Sequence, residues 1–234
     1  MDYNYPPAYR GTASVDVLAS SAMKRVYLLL TIAMAITGVI SYYCGNSLEY
    51  LNYMVQNRWV MWALIIAQFV IIFAIGPAIR KIGTTTGTLL FFTFSVIMAL
   101  WIAPIFMVYT HASIAKTFFI TAGTFGAMSI YGYTTKQDLT RFGSILIMCL
   151  FGVIIASLVN IFLHSTGLEW IISIAGVLIF IGLIAWDTQN IKRMAETMAP
   201  SQVGQLAVIG ALSLYLDFVN LFLFLLRIFG NQRD

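Results

Sequence analysis

Apolar residues fall into seven long, nearly unbroken runs: Val26–Tyr43, Trp59–Ile79, Gly87–Tyr109, Ser113–Tyr133, Phe142–Leu163, Leu168–Trp186 and Gly204–Phe229. None alternates with period two, which reads as helix rather than barrel strand. A helix of roughly 20 apolar residues crosses a hydrocarbon core of about 30 Å. Inside that core the backbone satisfies its own hydrogen bonds, as a helix does. The polar connections are short, so the runs predict one compact all-α bundle, a polytopic membrane protein with seven transmembrane helices. The expected organisation is a polar tail over 1–23, a seven-helix transmembrane domain over 24–230 and a C-terminal tail over 231–234. The first segment contains Pro6 and Pro7 and reads as a mobile tail. It is no secretory signal, because the first apolar run starts late, is long and has no small-residue cleavage site after it. Pro104 predicts a kink in the third run.

Composition agrees. Hydrophobic residues make up 60% of the 234 and charged residues 9%, against about 25% charge in a soluble domain. The formal charge of +4 does not point to nucleic acid, because the basic residues stand in pairs at the ends of runs. They give an orientation instead. Seven crossings put Arg10, Lys24, Arg25, Arg80, Lys81, Lys136, Arg141, Lys192 and Arg193 on one side and Arg58, Lys116, Arg227 and Arg233 on the other. The richer side is expected to be cytoplasmic, which places the N-terminus inside and the C-terminus outside a cell inner (plasma) membrane. Trp59, Trp62, Tyr109 and Trp170 fall near the expected interfaces. Glycines and alanines at Gly123, Gly126, Gly152, Ala156, Gly176, Gly182 and Gly210 are expected to allow close helix approach.

An ionisable group within a membrane is expensive unless paired or wetted, so the nine acids carry the most information. Seven lie in tails, loops or helix ends. Asp187 closes the sixth run, and Asp217 sits well inside the seventh, about 20 Å along it from Gly204. The last two runs are antiparallel through a short connection, so the two carboxyls are expected to meet. Asn190 and Asn220 follow the acids by three residues, a spacing that shares a helix face, and Gln189 and Thr188 add oxygen atoms. Two carboxyls in low dielectric share a proton and titrate in coupled steps. A divalent cation competes for the same place, and oxygen-only ligands favour Ca²⁺ over Zn²⁺. The pattern therefore suggests a pH-gated cation site at Asp187 and Asp217. The structural alternative is that Asp217 is neutral or paired and only fixes helix packing.

Other chemistry finds little support. His111 and His164 fall at outer helix ends without zinc spacing. Cys44 and Cys149 have neither disulfide nor metal spacing and read as core residues. No phosphate loop is present. No enzyme constellation emerges, and no cofactor is expected beyond calcium as a permeant ion.

Three motifs carry a family resemblance. Thr-Phe-Gly-Ala-Met-Ser-Ile-Tyr-Gly-Tyr-Thr-Thr-Lys-Gln-Asp-Leu at 124–139 resembles the fourth-helix signature of the Bax-inhibitor family, bacterial branch. Ile-Ala-Trp-Asp-Thr-Gln-Asn-Ile-Lys at 184–192 resembles its sixth-helix motif. Gly-Ala-Leu-Ser-Leu-Tyr-Leu-Asp-Phe-Val-Asn-Leu-Phe-Leu-Phe-Leu-Leu-Arg-Ile-Phe-Gly at 210–230 resembles its seventh. The resemblance implies a bundle with the last helix central and a pH-sensitive Ca²⁺ leak whose sensor is an aspartate pair, here Asp187 and Asp217. It also implies a latch between an arginine of the second helix, for which Arg80 is the nearest candidate, and the sixth-helix aspartate. Gln68 stands where many members carry an acid in the second helix. Some bacterial relatives are linked to a membrane-bound ATP-dependent protease, which implies a second reading as a regulator acting through a partner surface.

Overall fold

The computed structural model describes the backbone of residues 12–233, with side chains from residue 17. The first 11 residues of the expected tail lie outside the described residues. Helix α1 (Thr12–Gly45) is already formed inside the segment read as tail. Its early turns are held by small apolar side chains, since Ala19, Ala22 and Met23 are buried. The apolar run begins later because those turns alternate buried residues with Ser20, Ser21 and Lys24 on the same helix.

After α1 come the short helix α2 (Leu48–Gln56) and the long α3 (Arg58–Lys81). Helix α4 (Thr84–Ile102) stops at Ala103–Pro104 and resumes as the single turn α5 (Ile105–Val108), so the expected kink is a break. The remaining helices are α6 (His111–Thr134), α7 (Thr140–Leu163), α8 (Thr166–Thr197) and α9 (Val203–Phe229). Seven are of membrane length. Six also meet the apolar composition of a span. The seventh, α6, has 24 residues and is diluted by Thr117, Thr121 and Ser129, which turn into the bundle and are buried. The seven helices alternate in direction. One end of the bundle, the N-face, holds the start of α1 and the α6–α7 and α8–α9 connections; the other, the C-face, holds the end of α9. Side-chain caps start three elements on the C-face: Ser47, Thr110 and Ser165 accept from the backbone N–H three residues on.

Helix α9 is the axis. It packs against α8, α1, α6 and α4, and 67% of its span is buried, against 6% for α3. Tyr215 of α9 is fully buried, its ring edge-on to Phe91 and Phe94 of α4 at 5.8 Å. Such contacts matter more here than in water, because lipid removes the hydrophobic drive between helices and leaves packing and hydrogen bonds. Outward-facing Phe69, Phe73, Phe119 and Phe162 match the hydrocarbon. Cys149, read as a core residue, is exposed on α7, a helix that packs mainly on α8 and so gives most of its surface to lipid.

The end of the chain folds back. Asn231 accepts from Thr110 N at 3.1 Å, and Arg233 N donates to Val108 O at 2.8 Å. The expected C-terminal tail is thus pinned, as far as Arg233, beside the α5–α6 turn.

Candidate functional site

The antiparallel pair α8 and α9 is joined by a connection containing the turn Pro200–Gln202. Antiparallel packing brings Asp187 of α8 opposite the middle of α9. There Ser213 and Asp217, one helical turn apart, present oxygen atoms on the same face. Ser213 Oγ donates to Asp187 Oδ2, and the two carboxyls lie close enough to interact directly. Both acids are buried, at 8% and 5% exposure. Two touching carboxyls in low dielectric hold one proton between them rather than two charges. Asp187 also accepts from the serine, so its carboxyl is held from α9 on one side. Asp217 Oδ2 has no hydrogen-bond partner.

Asp217 lines a groove of about 450 Å³ between α7 and α9 together with Ser157, Ser213 and Asn220, while its Oδ2 is itself buried. Asn220 Nδ2 donates to Leu216 O at 2.8 Å, leaving its Oδ1 free to meet a cation. Ser157 and Ile161 also line a second cavity of about 410 Å³ on the C-face, together with Asn160, His164, Glu169 and Arg227. Ser157, shared by both, puts a hydroxyl between the aspartate groove and the C-face cavity.

The N-face end of α8 is covered. Gln189, two residues past Asp187 and so on the other side of α8, accepts from Leu139 N at 2.9 Å and donates to Gln137 O at 2.7 Å. Lys192 donates to Tyr133 O at 3.0 Å. Arg193 bridges to Asp138 at 2.6 Å. These bonds tie the α6–α7 connection across the N-face end of α8. Asp138 also accepts from Thr140 Oγ1 and N at 2.6 and 3.0 Å. Those Thr140 bonds, then Arg193, hold the Asp138 carboxyl well below the usual carboxylate range.

Of the residues singled out by sequence, Asp187, Asp217 and Asn220 come together, and three do not join them. Gln189 serves the loop rather than the acids. Asn190 is exposed, because three residues advance about 300° and leave it some 60° off the face of Asp187. Arg80 is exposed on α3, which packs chiefly on α4, and the one ion pair among the described residues is Arg193–Asp138. The arginine latch is thus not formed here. Ser213 was not singled out, although its place four residues before Asp217 is a readable signal.

A central helix carrying one of two touching acids inside seven membrane-length helices defines a polytopic helical membrane protein with an intramembrane carboxyl pair. The chain belongs to the Bax inhibitor-1 family: the sequence profile described as inhibitor of apoptosis-promoting Bax1 matches residues 19–234. It is 46% identical over 214 residues to the inner membrane protein YbhL of Escherichia coli (strain K12), which spans 90% of this chain and 92% of that protein. A protein of Borreliella burgdorferi is 44% identical over 220 residues, 93% of this chain and 95% of its own. One of Rickettsia prowazekii is 40% identical over 213 residues, 91% and 90%.

Proposed function

We propose that this protein is a pH-sensitive, Ca²⁺-permeable leak of a bacterial inner membrane, with its N-terminus cytoplasmic. The observation that carries the reading is the approach of Asp187 and Asp217 inside the bundle, with Asp217 lining a groove and one of its oxygens buried without a partner. A proton held between the acids removes the negative charge a cation needs. Losing it leaves two carboxylates that a divalent cation can bridge. Ca²⁺ takes about 6–8 oxygens, and this site offers two carboxyls, Ser213 and Asn220. Such a shortfall suits passage with a partial water shell better than tight storage. The cavities on the C-face supply an approach, and the tied α6–α7 connection is the barrier to be released on the N-face.

The test is reconstitution of purified protein into liposomes containing a Ca²⁺ dye, with external pH varied. Flux that rises as pH rises, and falls in Asp217→Asn, supports the leak. Flux strongest in acid contradicts the mechanism. Flux indifferent to Asp217→Asn favours the regulatory reading, in which a partner such as a membrane-bound protease is bound without ion passage.

A further inference from the structure

Helices α1 and α6 each pack on α8 and α9 without packing closely on one another. The gap between them on the N-face half is a crevice of about 800 Å³, walled by Met23, Tyr27 and Leu28 of α1 and by Phe125, Ser129 and Ile130 of α6. From Thr134 to Phe125 it runs about 13 Å along α6. A side-chain carbon added at Gly126, on its wall, meets nothing within 4 Å. Ser129 is buried at 5% exposure, and its Oγ has no partner. The wall of the crevice is thus apolar apart from this one buried hydroxyl and the residues at its mouth.

The mouth of the crevice is basic. Lys24 and Ser20 line both the crevice and an adjoining surface pocket that Arg25 borders. Lys192 lies across the ring of Tyr133 at 4.6 Å. No acid is among the described residues lining either cavity. An apolar slot with a hydroxyl in its wall and cations at its rim is complementary to one kind of molecule in a bilayer. We infer that the α1–α6 crevice is a binding site for a single anionic phospholipid, with its phosphate at Lys24 and Arg25 and an acyl chain along Leu28 and Phe125. Basic residues at this level attract anionic headgroups. A free phosphate uses the rim and leaves the slot empty. A zwitterionic lipid fills the slot and gains nothing from the rim.

The inference is independent of ion flux. Full-length protein is placed in nanodiscs of phosphatidylcholine with a trace of photoactivatable phosphatidylglycerol, and labelled peptides are mapped by mass spectrometry. Labelling is expected to concentrate on residues 23–31 and 125–134 and to be competed by unlabelled phosphatidylglycerol but not by added phosphatidylcholine. The exposed pair Lys24→Gln with Arg25→Gln is expected to lower it about tenfold. Gly126→Leu, which fills the slot and leaves the rim intact, is expected to lower it as much, with a melting curve confirming the fold. Labelling spread evenly over α3 and α7 overturns the site. Equal competition by phosphatidylcholine overturns its charge selectivity. Labelling that needs the basic pair yet ignores Gly126→Leu shows surface attraction of headgroups only, and overturns the crevice.

Discussion

Thr37 of α1 and Tyr215 of α9 share a 2.6 Å hydrogen bond in the centre of the bundle. Thr37 Oγ1 also donates toward Ala33 O at 2.9 Å, so its hydroxyl proton is used locally and the tyrosine proton comes to it. With Phe91 and Phe94 gripping the ring, this bond fixes the rotation of α9. Asp217 lies two residues on, about 200° around the same helix. The rotation that seats Tyr215 against α1 and α4 therefore turns Asp217 toward α8.

Tyr215→Phe keeps the ring and removes the hydroxyl. Thr37 retains its backbone acceptor, so the expected loss is about 1 kcal/mol, read as a modest fall in melting temperature in detergent. Tyr215→Ala empties the ring site and is expected to cost about 3–5 kcal/mol. Equal melting of Tyr215→Phe and the parent would show that the bond does not position α9.

Asp217→Asn and Asp187→Asn test the pair directly. Each replaces a carboxyl by an amide of nearly the same shape, so the bundle is expected to fold while losing the titrating group. Ca²⁺ flux in liposomes at alkaline pH should fall by about tenfold or more, and its pH dependence should flatten. Asn190→Ala is the control. Asn190 is exposed and off the face of Asp187, so its removal should leave the flux profile unchanged.

The seven spans were legible because each is a run of apolar residues, and the two acids because each interrupts one. Rotation about each helix was not, and it decides most of the rest. Asn190, Gln189 and Arg80 were chosen by distance along the chain, and each turns out to face or bond elsewhere. The glycines divide in the same way. Gly176, Gly182 and Gly210 do lie against Phe224, Leu146 and Ile191, but Gly123, Gly126 and Gly152 face open space. Tight glycines at Gly45, Gly87, Gly132, Gly143 and Gly230 were passed over. Sequence marks a glycine as permissive but does not say which side of it a neighbour occupies. The early start of α1 was hidden because its buried residues are alanines, which barely raise hydropathy.

Gly132 and Gly126 make a paired test of close approach. A Cβ at Gly132 runs into the backbone carbonyl of Ala185 on α8, which cannot rotate away, whereas at Gly126 the space is open. Gly132→Ala should push α6 off α8 and cost about 1–3 kcal/mol. Gly126→Ala should be neutral or stabilising by up to about 1 kcal/mol, from helix propensity. Thermal melting of the two variants side by side checks the ordering; a reversed order would misplace α6.

Gln189→Leu removes both bonds that hold the α6–α7 connection to α8. Leu139 N is then buried without a partner, and the expected cost is about 1–3 kcal/mol. Hydrogen exchange should rise first at residues 135–140, ahead of the helices. Gln189→Glu keeps an acceptor for Leu139 N but lacks the donor to Gln137 O, so it should fall between the two. A protein whose flux changes while this exchange stays at parent level would return Gln189 to the ion site.

Asp138 predicts how that same connection responds to acid. Its carboxyl is bonded by Thr140 and Arg193, which favour the charged form and depress its pKa in the fold. A depressed carboxylate contributes its stabilisation in full above the unfolded value of about 4 and loses it as pH falls from there toward the folded value. Exchange protection at 135–140, corrected for the intrinsic rate, should therefore be level from about pH 5.5 to 8 and collapse only below about pH 4. Asp138→Asn should lower it at every pH in that range, and by less in high salt, since the pair with Arg193 is exposed. Any change in Ca²⁺ flux between pH 6 and 8 then arises elsewhere than in this tie. Protection that falls already near pH 6.5 would move the sensor to the connection and away from the buried pair.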